Sequence, residues 1–189
     1  MSLRITGGAL RGRLVRTPPG LAVRPSSGML RETLFNLIGP GIAGWRFLDL
    51  CAGSGAVGIE AISRGAAEVV FVDDHPAAIA LIRRNLEGLG IGAGARLLRR
   101  GAVRALEELA RQGALFDVVF IDPPYDTGIA GACLRSPALG AIIRPRRRVY
   151  LQHRRRETLP EVAGWARADE RRFGDTVLTT CEREGEQTT

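Results

Sequence analysis

The chain has 189 residues, 45% of them hydrophobic, which suits one domain with a substantial buried core and excludes a disordered polymer. Its formal net charge is +7 and it contains no lysine, so all 27 basic residues are arginines, whose forked, planar heads suit phosphates and stack on bases. Cys51, Cys133 and Cys181 are widely separated without histidine neighbours, and no apolar run has signal or transmembrane length, so neither a zinc site nor a disulfide framework is indicated, neither export nor a membrane span is expected, and a reduced cytoplasm is the expectation.

In chain order, residues 3–16 alternate around Gly7-Gly8 and carry Arg4, Arg11, Arg13 and Arg16, the pattern of a small basic β-hairpin. Pro18-Pro19-Gly20 leads to Arg24-Pro25 and to an amphipathic helix in which Leu30, Leu34, Leu37 and Ile38 share one face. Arg31 and Glu32 fall off that stripe, where they either flank a substrate cleft or form a solvated surface pair. After about residue 45 the periodicity alternates. Strands are expected at 46–50, 68–72, 95–99, 117–121 and 147–152, with helices at 56–64, 76–88, 101–112 and 128–141. This predicts an α/β fold with a doubly wound, mostly parallel sheet. Trp165 to Arg172, the turn Phe173-Gly174-Asp175 and the run Thr176 to Cys181 predict an antiparallel hairpin that closes one sheet edge. The expected division is a basic hairpin extension over 1–25, one domain over 26–183 and a flexible tail over 184–189.

Two segments carry chemistry. The first runs from Phe47-Leu48-Asp49-Leu50 through Cys51-Ala52-Gly53-Ser54-Gly55-Ala56-Val57-Gly58 into a helix, a strand followed by a G-x-G-x-x-G turn. Asp73 ends the next apolar run twenty residues after Gly53, the spacing at which a carboxylate holds an adenosine ribose, and Asp74 adjoins it. An adenosine cofactor is therefore expected, with two candidates. A nicotinamide dinucleotide needs hydride-transfer groups in a chain with only His75 and His153, and its pyrophosphate is repelled by Asp49. S-adenosylmethionine suits Asp49 better, because a carboxylate there can hold the amino group of its methionine end.

The second segment is Asp122-Pro123-Pro124-Tyr125, which leaves the apolar run Val118-Val119-Phe120-Ile121. An exocyclic amine on guanine or adenine has its lone pair delocalised into the ring, so methylating it requires acceptors for its N–H groups and a face that holds the base. Asp122 offers a carboxylate, Pro123 removes a backbone donor and stiffens the turn, and Tyr125 offers a stacking surface. Read from the residues, guanine N2 and adenine N6 both fit, and so does an RNA-binding protein without catalysis. The basic runs Arg144 to Arg148 and Arg154-Arg155-Arg156 are candidates to extend a phosphate-binding surface.

From about Arg4 to Arg183 the chain resembles the bacterial methyltransferases that modify guanine N2 in small-subunit (16S) ribosomal RNA, the guanine-966 type. The resemblance rests on the ordered set Ile5-Thr6-Gly7-Gly8-Ala9-Leu10-Arg11-Gly12-Arg13, Arg24-Pro25-Ser26-Ser27, Arg31-Glu32-Thr33-Leu34-Phe35-Asn36, Asp49-Leu50-Cys51-Ala52-Gly53-Ser54-Gly55, Asn85-Leu86, Asp122-Pro123-Pro124-Tyr125 and Phe173-Gly174-Asp175-Thr176. It implies a Rossmann-like methyltransferase domain using S-adenosyl-L-methionine, no metal, and an assembled or nearly assembled 30S subunit as partner of a monomeric enzyme. It implies Asp122, Pro123 and Tyr125 at the reacting amine, and Asp49, Gly53, Gly55, Asp73 and Asp74 at the cofactor. With an N-terminal extension that helps hold RNA, the candidates for RNA contact are the basic residues Arg4, Arg11, Arg13, Arg24 and Arg31. Three positions depart from the family pattern: Gly28-Met29 replaces an Asp-Arg pair, Asp73 stands where glutamate is usual, and Gly101 aligns with an acid or amide that meets the adenine.

Overall fold

The computed structural model describes residues 2–18 and 25–184. A two-stranded antiparallel hairpin, β1 (Ser2–Arg4) and β2 (Leu14–Arg16), precedes helix α1 (Pro25–Ile38). Then follow β3 (Arg46–Leu50), α2 (Ala56–Ser63), β4 (Glu68–Asp73), α3 (Pro76–Leu89), β5 (Ala95–Arg99), α4 (Ala102–Arg111) and β6 (Phe116–Ile121). The chain closes with α5 (Ile129–Arg135), α6 (Pro137–Ile142), β7 (Ile143–Arg154), β8 (Trp165–Phe173) and β9 (Thr176–Arg183). The seven-stranded sheet has the order β5-β4-β3-β6-β7-β9-β8. β3 to β7 run parallel, and β9 is antiparallel to both of its neighbours.

Central strands read as continuous apolar runs because both faces of a parallel sheet are covered. Phe47, Val69, Phe71, Val118 and Phe120 face the hairpin, α1, α2 and α3. Leu48, Leu50, Val70, Val72, Val119 and Ile121 face α4, α5 and α6. The strand period of two then sends Asp49, Asp73 and Asp122 toward the first of these faces. Strand order reverses at β3, where β4 lies on one side and β6 on the other. Ligands in open α/β sheets bind at such a switch point, outside the carboxyl ends of the strands.

The expected hairpin over 3–16 forms, with Gly8 O closing its turn by accepting Arg11 N at 3.1 Å, and the two glycines have a further role. They let the loop lie against the end of α2: a Cβ on Gly8, whose φ is +79°, would stand 1.8 Å from the Ser63 carbonyl oxygen. The Ala9 amide donates to that same carbonyl at 2.7 Å, and the Ser63 hydroxyl donates to Gly7 O at 2.6 Å. Ile5 and Val15 are thereby buried in the core that α1 to α3 share with the sheet. The helix expected over 128–141 breaks at Ser136, which takes an extended ψ of 121° before Pro137. A proline disfavours helical geometry in the residue before it and starts the next helix well.

β7 begins earlier than the expected 147–152 and bulges between Phe116 and Val118 of its partner strand. The bulge carries Arg144 and Arg147 to Asp117, at 3.6 and 3.4 Å, while Arg147 also lies over the Trp45 ring. This places the run Arg144 to Arg148 at the amino ends of the parallel strands. It therefore does not extend a surface around the carboxyl ends, where the glycine turn and Asp122 sit. Among the described residues no helix is long and apolar enough to cross a membrane.

Candidate active site

The three glycines of the turn after β3 have three physical roles. Gly55 caps α2 in the left-handed conformation, with φ 76°, and packs on Ile82. Gly58 lets α2 approach the sheet, since a Cβ there would meet the Phe71 ring at 2.3 Å. Gly53, also left-handed at φ 55°, has no atom within 4 Å of an added Cβ, so it leaves open space above the strand ends. Cys51 is left-handed as well, at φ 65°, a strained geometry for a side-chain-bearing residue of the kind that collects at functional turns. Its thiol is pushed up by burial first and then by neighbouring groups that include Asp122, so it is not a thiolate nucleophile.

Asp49 is only 2% exposed and accepts the Gly58 amide at 2.9 Å. Burial pushes its carboxyl up to about 7; the Gly58 hydrogen bond works against that rise and the charge of Asp73 adds to it. The Asp122 amide donates to Leu50 O at 3.1 Å, which holds the start of the tetrapeptide at the end of β3. Its carboxyl is also pushed up to about 7, by burial and then by the charge of Asp49. Among the described residues no arginine or histidine forms an ion pair with either. Asp49, buried, and Asp122, half-buried, thus stand at neighbouring strand ends without a counter-ion.

Asp73 is half-buried and orders the neighbouring turn: one oxygen accepts Gly53 N and the other His75 N, each at 2.9 Å. Each carboxylate oxygen has a second acceptor site, so hydroxyls of a ribose can still be taken. Asp74 is exposed. Gly101 precedes α4 in an extended conformation, with φ −66°, and an added Cβ would meet nothing within 4 Å. The missing side chain at this departure leaves that space open.

Tyr125 is half-buried, and its hydroxyl is fixed 2.9 Å from Thr176 Oγ1 and 3.4 Å from Gln152 Nε2. The Arg154 guanidinium lies over the ring at 5.1 Å and pairs with Asp126 at 3.0 Å. Arg154 of the second basic run is therefore at the site, unlike the first run. Thr127 closes the turn by donating to Pro124 O at 2.7 Å.

The arginines expected on RNA fall into three groups. Arg4, Arg11 and Arg13 are exposed on the hairpin. Arg4, Arg13, Arg16 and Arg84 line an open groove of about 610 Å³ between the hairpin and α3. Arg24 lies outside the described residues. Arg31 contradicts the expectation: it is 4% exposed, its Nε donates to Glu60 at 2.6 Å, and a terminal nitrogen donates to Arg4 O at 2.7 Å. A guanidinium occupied in this way cannot reach a phosphate.

Glu60 joins the site's supports although it is not among the residues expected there. It is fully buried and accepts from Arg31, Arg64 and Thr6, joining α1, α2 and the hairpin. Its signal was an acid inside the apolar stretch Gly58-Ile59-Glu60-Ala61-Ile62, where helical spacing puts it inward. Asn85 makes a second joint. Its amide nitrogen donates to Arg16 O and Ser54 O, both at 2.9 Å, and its oxygen accepts Arg16 N at 3.0 Å. The hairpin is thus bonded to the glycine turn itself.

A doubly wound sheet with this glycine turn at the first strand and an antiparallel closing edge has the Rossmann-like methyltransferase fold. The family model described as conserved hypothetical protein 95 matches residues 3–182, and the chain belongs to that family. It is 32% identical over 185 residues to the ribosomal RNA small subunit methyltransferase D of Escherichia coli strain K12, a match spanning 97% of this chain and 91% of that one. Among solved structures, a hypothetical protein of Thermus thermophilus superposes with a TM-score of 0.80 at 33% identity, over 95% of this chain and 99% of that chain. The T. thermophilus 16S rRNA N2 G1207 methyltransferase (RsmC), in complex with AdoMet and guanosine, gives a TM-score of 0.71 at 25% identity, over 97% of this chain and 50% of that chain.

Proposed function

We propose that this protein transfers a methyl group from S-adenosylmethionine to the exocyclic N2 of a guanine in small-subunit ribosomal RNA. The observation that carries the reading is the pair Asp49 and Asp122, two carboxylates without counter-ions at the switch point, the second opening the turn Pro123-Pro124-Tyr125. The names of the E. coli relative and of the T. thermophilus RsmC structure support the same substrate class and atom. The reading includes an assembled small subunit as partner, a monomeric cytoplasmic enzyme, and residues 1–25 as an RNA-holding extension of a catalytic domain over 26–183.

The site fits a cationic, adenosine-bearing cofactor. Unpaired carboxylates favour a ligand with ammonium and sulfonium charges and disfavour a pyrophosphate. Gly53 leaves room for close approach to the backbone, and Asp73 retains acceptor capacity for ribose hydroxyls. Asp49 would hold the amino group of the methionine end, while Gly53, Gly55 and Asp73 would hold the nucleoside, with Asp74 beside them. When bound, the group would supply an electrophilic methyl on sulfur.

The remaining chemistry belongs to the chain. The ionised Asp122 carboxylate accepts an N–H of the guanine amine, and a cationic ligand beside it favours that ionised form. Pro123 brings no competing N–H donor, and the Tyr125 ring, fixed through its hydroxyl, holds the base on its open face while Arg154 covers the other. The amine proton leaves once nitrogen has become tetrahedral, and Asp122 is the nearest acceptor this mechanism offers. Alignment of the reactants can contribute ~7–11 kcal/mol, so positioning outweighs base strength. Extruding the guanine from its stack costs roughly a few kcal/mol, which Tyr125 and the hairpin arginines offset. Replacement Asp122→Ala should leave S-adenosylmethionine binding measurable and lower the single-turnover transfer rate by about 10²-fold or more. An unchanged rate removes Asp122 from the mechanism.

A further inference from the structure

An open groove of about 410 Å³ lies between α1 and the end of β8, lined by Thr33, Asn36, Leu37, Arg171, Arg172 and Phe173. Its volume falls within the roughly 300–1,000 Å³ of ligand sites. The mechanism above uses none of these side chains. We propose that this groove holds a nucleotide of the RNA strand adjacent to the target guanine, an inference that rests on the RNA methyltransferase reading.

Three observations lead there. The first is continuity with the active site. Phe173 is the ladder partner of Thr176, about one strand spacing away, and the Thr176 hydroxyl is the group that fixes Tyr125 at 2.9 Å. Phe173 and Leu37 both pack against the core on the side of the sheet toward which Asp49 and Asp122 point. A strand whose base lies on Tyr125 therefore passes the groove within a nucleotide step.

The second is composition. Phe173 supplies a ring and Leu37 an apolar wall. Thr33 and the exposed Asn36 supply hydroxyl and amide groups that both donate and accept, the groups that read a base edge or a 2′-hydroxyl. Sites for single-stranded nucleic acid combine an aromatic platform with cations that follow the backbone. The third is charge. Arg171 and Arg172 are exposed at the rim and no carboxylate lines the groove. Arg171 pairs with Asp169 at 2.8 Å, whereas Arg172 has no ion pair among the described residues. An anion is the partner that Arg172 lacks.

The function of the contact follows from base extrusion. Removing a guanine from its stack also deprives its neighbour of one stacking face. A ring at Phe173 replaces that face, so the groove holds the opened strand while Tyr125 holds the target. The arginines fix its phosphate and supply affinity without reading sequence.

The test compares wild type with Arg172→Ala, Arg172→Glu and Asn36→Ala, all at exposed positions. Each is assayed for binding of an unmethylated small-subunit RNA transcript over a salt series, for binding of assembled subunits, for S-adenosylmethionine binding and for methyl transfer. The expected result is a loss of transcript affinity on the order of 10-fold for Arg172→Glu, with cofactor binding unchanged. For Arg172→Ala the slope of log affinity against log salt should fall by about 0.7, the share of one phosphate on a single strand. Equal affinity and slope in all four proteins, with methyl transfer intact, overturns the groove and leaves the enzymatic reading standing. Weakened binding of subunits with unchanged binding of transcript also overturns it, because the groove then receives a protein. A wild type that neither binds the transcript nor transfers methyl groups defeats the enzymatic reading and the groove with it.

Discussion

Asp49 and Asp122 stand at the carboxyl ends of neighbouring parallel strands, point to the same side of the sheet, and have no cationic side chain paired with them among the described residues. Burial, joined at Asp122 by the charge of Asp49, pushes both carboxyls up to about 7. Two such groups raise the energy of the ligand-free protein whenever both are ionised. The cation that relieves them is the ligand the site selects.

The sign of the pH dependence follows. An unfolded aspartate titrates near 3.9, so between about pH 4 and 7 the folded chain binds more protons at these sites than the unfolded chain. Their contribution to stability is greatest below about pH 4, is lost as pH rises to about 7, and is constant above that. The variant Asp122→Asn lacks its share of this loss. Its stability relative to wild type should increase from pH 4 to pH 7 and then level, as followed by calorimetric melting at a series of pH values. A difference that stays constant over this range contradicts the account of Asp122. Affinity for S-adenosylmethionine should strengthen toward pH 7 in wild type, because a cation binds the ionised pair.

The glycine turn separates fold from binding. In Gly58→Ala the new methyl strikes the Phe71 ring at 2.3 Å, and relieving that overlap should cost about 1–3 kcal/mol of stability. In Gly53→Ala the methyl meets no protein atom, so the stability cost is the left-handed backbone alone, about 1–2 kcal/mol. The methyl does enter the space assigned to the cofactor. Gly53→Ala should therefore lose cofactor affinity on the order of 10-fold, about 1.4 kcal/mol. Thermal melting with equilibrium S-adenosylmethionine binding checks both, and unaltered affinity in Gly53→Ala removes the cofactor from that space.

Two kinds of arginine should behave oppositely. Replacing Arg31 by alanine strands the fully buried Glu60 with fewer donors, at a cost of about 3–5 kcal/mol in denaturant unfolding. Replacing exposed Arg11 and Arg13 by glutamate should leave the unfolding midpoint nearly unchanged. It should weaken RNA binding and flatten its salt dependence. Equal salt slopes before and after place the hairpin arginines off the RNA.

Much of the architecture was legible because its signals are local. Strand runs, the glycine turn and the hairpin at Phe173-Gly174-Asp175 follow from period and turn chemistry over a few residues. What escaped depended on partners distant in sequence. Arg31 is buried by Glu60, 29 residues further on, and no window around Arg31 contains that acid. Gly7-Gly8 reads as turn residues alone until Ser63 is seen packed against them. The run Arg144 to Arg148 is equally basic at either end of the sheet. Only the early start and bulge of β7 put it at the amino end beside Asp117. Asp122 and Tyr125 were legible as a motif, whereas the supports of Tyr125, Thr176 and Gln152, come from strands that only the sheet order brings near.

The most direct measurement incubates the purified protein with methyl-labelled S-adenosylmethionine and unmethylated small ribosomal subunits, naked small-subunit RNA or duplex DNA, and identifies the labelled nucleoside by mass spectrometry. The expected product is N2-methylguanosine in small-subunit RNA. Label in methyladenosine, in DNA alone, or in no nucleoside despite bound cofactor and RNA would contradict that expectation.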